Sequence, residues 1–174
     1  MNRNDETLRR FDSMSYETAV GELLRCCGSR NWCEWMVQSR PFGDRTALRG
    51  AADQAFEKLS EVDWLEAFSH HPKIGDISSL RMKYSGNREW SAGEQAGAVN
   101  VDETTIVELS EGNAAYEAKF GFIFIVCATG KSASEMLAIL QARLPNDRQT
   151  EIKLAAIEQQ KISYLRMEKW ELKE

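Results

Sequence analysis

His70 and His71 are the only two histidines of this 174-residue chain, and they stand together before proline in the run His70-His71-Pro72-Lys73-Ile74-Gly75-Asp76. Imidazole takes or gives a proton near neutral pH. Proline disfavours helix in the residue before it and lacks a backbone donor, so His71 is expected at a fixed helix exit rather than along a packed face. The residues alone leave two roles open: an acid or base, or a cap that meets the last helical carbonyls and the helix dipole.

Three further polar side chains are candidates for the same chemistry. Glu94 stands three residues after Ser91, the spacing of a capping box, while the helix N-terminus so formed also attracts anions. Gln95 next to it reads by default as an exposed helical glutamine. Arg166 lies four residues after Ile162 and beside Leu165, at the border of an apolar stripe, from which it can turn inward. A buried guanidinium needs an anion from the protein or from a substrate, whereas a snorkelling one needs neither. Arg143 reads as a helix C-terminal arginine serving the last carbonyls.

Other chemistries find less support. His70, His71 and Asp76 could face a metal, but neighbouring histidines at a helix end diverge and no further ligand stands at a recognised spacing. No Gly-x-Ser-x-Gly elbow accompanies the histidines. Cys26, Cys27, Cys33 and Cys127 contain no Cys-x-x-Cys pair and read as reduced, mostly buried thiols of a cytosolic protein. Trp32, Trp35, Trp64 and Trp90 read as core.

The elements that must position these groups are helical. Ser13 or Ser15 can cap a helix through Leu24, and a short aromatic helix bearing Trp32 and Trp35 follows Gly28. Asp44 can cap a helix through Leu59, and Ser60 with Asp63 resembles a capping box ahead of the helix that delivers the histidines. Residues 73–90 mix glycine, serine, asparagine and charge and read as a long surface loop. Ser91 to Glu94 opens a helix to about Lys119, Ser132 to Glu135 opens another, and Asn146 or Asp147 starts a last one to about Leu172.

Phe120 to Cys127 is apolar and β-branched, but no second strand exists to pair it, so an extended or partly helical segment threading the core is expected. The fold class is therefore all-α: a single compact domain of about seven or eight helices with an extended apolar segment around 120–127, and with residues 1–12 flexible or peripheral.

Hydrophobic content of 43% suffices for a core, and Pro41, Pro72 and Pro145 punctuate the chain without a linker. Lys+Arg 22 against Asp+Glu 27 gives a net charge of -5 with no basic-aromatic tract, which argues against nucleic acid. The longest apolar stretch, 122–128, is too short to cross a bilayer, so no membrane partner and a cytoplasmic location are expected.

His71-Pro72 with Ile74-Gly75, Ser91-x-x-Glu94-Gln95-Ala96-Gly97, Phe120-Gly121-Phe122 with Phe124-Ile125, Arg143-Leu144 with Asn146, and Glu151 through Ala155 with Glu158 to Lys161-Ile162-x-x-Leu165-Arg166-Met167 together resemble, in order, the 2-oxo-4-hydroxy-4-carboxy-5-ureidoimidazoline (OHCU) decarboxylases. The resemblance runs from about Tyr16 to Trp170. It implies an all-helical, often dimeric, cofactor-free and metal-free enzyme that acts on a small ureide in the last step from urate to (S)-allantoin. It places the catalytic histidine on His71 and its acidic partner on Glu94. Substrate contacts fall on Pro72, Ser91, Gln95 and Arg166, with backbone donors from Phe122, Ile123, Phe124 and Ile125. Two other readings of the residues are an inactive helical interaction or regulatory domain, in which His71 and Glu94 only cap helices, and a metal-assisted cyclic amide hydrolase.

Overall fold

The computed structural model describes residues 3–72, 76–85 and 103–169. Nine helices and no strand occur among them: α1 Arg3–Asp12, α2 Tyr16–Leu24, α3 Arg30–Gln38, α4 Arg45–Glu57, α5 Glu61–Ser69, α6 Ile77–Ser85, α7 Glu103–Phe120, α8 Ala133–Arg143 and α9 Arg148–Glu168. The starts obey local chemistry. Ser15, Ser29 and Asp44 accept from the backbone of Thr18, Trp32 and Ala47, and Asp147 accepts from Thr150, each satisfying a donor that the first turn would leave orphaned. Ser132 and Glu135 close the expected capping box at α8.

Contacts divide the chain into two compact units. The first holds residues 1–71, 125–127 and 154–174. Its core packs Phe11, Leu23, Trp32, Cys33 and Met36, all fully buried, against Ala52, Ala55 and Met167. The N-terminal segment, expected to be flexible or peripheral, is a helix that buries Leu8 and Phe11, with Phe11 stacked on Phe42 at 6.0 Å. Two apolar side chains three residues apart on one helical face gave that segment something to bury. The four cysteines are buried free thiols; burial pushes Cys26 up to about 12 and Cys27 up to about 11. Trp32 belongs to the core, whereas Trp35 is 41% exposed beneath the Lys58 ammonium, 3.8 Å from its ring, and Trp64 is half-buried.

The second unit holds residues 72–124 and 128–153. Helix α6 falls inside the stretch expected to be a loop. Asp76 accepts from the Ser79 amide at 2.9 Å and hydroxyl at 2.6 Å, starting the helix, and Leu80 is its buried anchor. Composition hid this because the helix has one buried residue and polar flanks. Helix α7 ends at Gly121, whose φ of +79° is open to glycine and strained for other residues, and the apolar run leaves the helix there. Tyr116 meets Phe120, Phe122 and Phe124 at 4.6, 5.8 and 5.1 Å.

Arg143, the last residue of α8 and expected to serve the helix's last carbonyls, instead binds a buried carboxylate. It is buried, donates from Nε to Glu151 Oε1 at 2.6 Å, and also bonds Tyr116 Oη at 3.1 Å. Tyr116 donates to the same carboxylate and Asn146 donates to its other oxygen at 2.9 Å. Glu151 is fully buried, so every lone pair matters and the guanidinium fork supplies what a point charge cannot. Arg143→Lys therefore lowers unfolding free energy by about 1–3 kcal/mol, the scale of a charged hydrogen bond lost in a buried network. Urea denaturation of the two proteins measures it.

Candidate active site

The histidines are delivered by α5. Ser60 donates its backbone and hydroxyl protons to Asp63 Oδ2, both at 2.7 Å, and Asn31 donates to Asp63 Oδ1 at 2.6 Å, which ties α3 to the start of α5. Burial alone would raise the Asp63 carboxyl, but the bonds from Ser60 and Asn31 hold it below the usual range. At the other end His70 is the C-cap; its amide donates to the Ala67 carbonyl at 3.3 Å and the His71 amide to the Phe68 carbonyl at 3.1 Å, closing the last turn. Gly28 sits against the His70 side chain so closely that a Cβ there would overlap His70 Cβ and Cγ. The exit of α5 is thus fixed from within and by the absence of one methyl group.

His71 is half-buried and its Nε2 lies 2.6 Å from Gln159 Oε1 on α9. Burial is the main cause of a lowered His71 pKa. Gln159 opposes that shift, and the Arg166 charge and His70 add to it. The shift favours the neutral ring, which is able to accept a proton. Arg166 reaches the Cys26 carbonyl with Nη1 at 3.3 Å, and no carboxylate pairs with it among the described residues. It did turn inward, as the border position on the apolar stripe suggested, but its partner is a carbonyl, which leaves the charge available to an anion.

The apolar run contributes Ile125 and Cys127 to the same unit. Ile125 is buried, and the Cys127 amide donates to Glu158 Oε2 at 2.7 Å. Phe122, Ile123, Phe124 and Pro72 belong to the other unit, where Phe122 is buried and Ile123 and Phe124 are half-buried; the Phe124 ring packs on Tyr116, and Arg143 lies 4.8 Å over it. The structure brings His71 and Arg166 together. Ser91, Glu94 and Gln95 lie outside the described residues. Among the described residues no group of three or more His, Cys, Asp or Glu side chains is gathered as metal ligands would be.

Two residues of this constellation escaped the sequence reading, Gln159 and Ser163. They are buried, and with Arg166 they fall at i, i+4 and i+7, one face of α9. Three polar residues on the face that also carries Ile152 and Ala155 were the available signal.

A neutral imidazole near a guanidinium that no carboxylate among the described residues neutralises, on an all-helical scaffold, suits proton transfer to a small anionic molecule. A model of one family, OHCU decarboxylase, matches residues 12–168. The chain is 38% identical over 156 residues to the uric acid degradation bifunctional protein TTL of Arabidopsis thaliana, covering 90% of this chain and 48% of that protein. It is 28% identical over 166 residues to 2-oxo-4-hydroxy-4-carboxy-5-ureidoimidazoline decarboxylase of Amia calva, covering 92% of each. A crystal structure of OHCU decarboxylase in the presence of (S)-allantoin matches with a TM-score of 0.66 at 38% identity, covering 85% of this chain and 95% of that one. The chain belongs to the OHCU decarboxylase family. It spans about half the length of the Arabidopsis relative.

The neutral His71 has a consequence with a definite sign. The fold resists protonating it more than the unfolded chain does, so the unfolded state binds more protons in acid. Stability from this group is full above the unfolded value of 6.5 and is lost as pH falls through the folded value. The His71 ring protons, followed by NMR, are expected to titrate with a midpoint below 6.5. Gly28→Ala, which pushes on the His70 side chain and hence on the α5 exit, costs about 1–3 kcal/mol of stability by overpacking and shifts the His71 resonances.

Proposed function

We propose that this chain converts 2-oxo-4-hydroxy-4-carboxy-5-ureidoimidazoline to (S)-allantoin and carbon dioxide in urate breakdown, by acid–base chemistry without a cofactor. The observation that carries the reading is the half-buried His71 ring, held by Gln159 at 2.6 Å and within electrostatic reach of the Arg166 charge. In this reaction the bond from the ring carbon to the carboxylate breaks and its electron pair flows into the adjacent carbon–nitrogen double bond. The hydroxyl on the carbon that loses the carboxylate becomes a carbonyl, and the neighbouring carbon gains a proton on one face. His71 accepts the hydroxyl proton and returns a proton to carbon, which conserves protons at the imidazole and makes one enantiomer, while the ring nitrogen that received the electron pair takes the one further proton that the reaction consumes from water. Glu94 is assigned to orient or charge that imidazole.

Pro72, Ser91, Gln95, Arg166 and the backbone of Phe122, Ile123, Phe124 and Ile125 are the substrate contacts that the family resemblance assigns, and Arg166 would take the anionic, oxygen-rich edge. We read the chain as one catalytic domain that works in the cytoplasm as a homodimer on a small ureide.

The test generates the unstable substrate from urate in situ and follows the optical activity of allantoin with and without the protein. His71→Asn loses ~10²–10⁴-fold in rate without unfolding, the usual worth of a positioned acid or base, while His70→Asn is far milder. Unchanged turnover in His71→Asn would overturn the assignment. Glu94→Gln preserves a capping hydrogen bond and removes the charge, so a variant that turns over normally would make the glutamate structural. Arg166→Lys keeps the charge and loses the fork, and weakens binding of allantoin by about one to two powers of ten.

A further inference from the structure

The partners of the His71 ring decide more than its pKa. Its Nε2 meets the oxygen, not the nitrogen, of the Gln159 amide, and the orientation of that amide follows from a second residue. Ser163, fully buried one turn further along α9, donates its only proton to the Gln159 carbonyl at 3.0 Å. Its oxygen is left as an acceptor and takes a proton from Gln159 Nε2 at 3.1 Å. With the amide nitrogen committed to Ser163, the amide oxygen faces His71 and can only accept. His71 must then carry its proton on Nε2 when neutral, because a hydrogen bond between an amide oxygen and a bare ring nitrogen has no proton in it.

We propose that Gln159, locked by Ser163, is a positioning residue that fixes His71 as the Nε2–H tautomer and so makes Nδ1 the nitrogen that exchanges protons with the substrate. This rests on the reading that His71 is the reacting group. Nδ1 has no hydrogen-bond partner among the described residues, so its lone pair is open to a ligand. Gln159 is 2% exposed, and an unpaired amide at that depth would cost the fold, which holds the pair in one arrangement. The same bond lies at one end of the imidazole and leaves the other end free, the arrangement in which a second partner sets tautomer and direction for a reacting histidine.

Nitrogen-15 NMR of histidine-labelled protein at a pH where His71 is neutral reads the tautomer directly, independently of turnover. The wild type is expected to show a protonated Nε2 and a bare Nδ1. Gln159→Leu is expected to show both tautomers in exchange, with kcat reduced about ten- to a hundredfold and KM little changed, since this residue is 2% exposed and acts through the ring. Gln159→Glu retains an acceptor and is expected to restore the Nε2–H signature. If Gln159→Leu fails to fold, Ser163→Ala serves instead: it removes the acceptor of the amide nitrogen, allows the amide to turn over, and is expected to populate the second tautomer. A wild-type spectrum with the proton on Nδ1, or a tautomer unchanged in every folded variant at 159 and 163, overturns the proposal. Should the lock behave as stated while His71→Asn keeps wild-type turnover, the reading of His71 as the reacting group falls, and the role given to Nδ1 falls with it.

Discussion

The hydrogen bond of 2.6 Å between His71 and Gln159 joins the exit of α5 to the buried face of α9, and the properties of the imidazole follow from it. A histidine at a helix end that faces water would stay near its ordinary pKa and sample several orientations. Here one ring nitrogen is tied, half of the ring is out of water, and a guanidinium adds its field. Burial and the Arg166 charge act in the same direction, toward the neutral ring, and the amide opposes them without reversing the result. The lengths of α5 and α9, the cap at Ser60 and the clearance at Gly28 are the conditions under which that bond can form.

Helix α9 shows how the same face can be buried and polar. A buried amide and hydroxyl are tolerated because they satisfy each other: Gln159 donates to Ser163, and Ser163 donates back to the Gln159 carbonyl. On either side of Gln159, Glu158 and Gln160 find partners as well, in the Cys127 amide and in Asp53 with Tyr164. Cys127 closes the extended run in this unit, so a helix side chain supplies the acceptor that a neighbouring strand would supply in a sheet.

In the second unit the equivalent constraint is the buried charge pair of Arg143 and Glu151. Removing two charges from water is costly, and the pair is supported by Tyr116 and Asn146 as further donors to the carboxylate. Burial and the bond to Glu151 hold the Tyr116 hydroxyl well above its ordinary value, so it remains a donor. The rings of Phe120, Phe122 and Phe124 surround that phenol, which fixes the start of the apolar run without any β-pairing.

The sequence by itself determined the features that depend on residues a few positions apart. Serine and aspartate caps at Ser15, Asp44, Ser60 and Ser132, the stop at Pro72 that leaves His71 at a helix exit, and the absence of any partner for a lone apolar run were all legible, because each rests on a local donor, a ring or a period. The family resemblance added the roles proposed for His71 and Arg166. Tertiary structure alone decided which polar side chains are inside. Gln159 becomes the partner of His71 across 88 positions, and Glu151 becomes the partner of Tyr116 across 35, distances over which no local rule operates. Helix α6 and the burial of α1 were hidden for the same reason, since one or two apolar residues make a helix face only when another element is there to cover it.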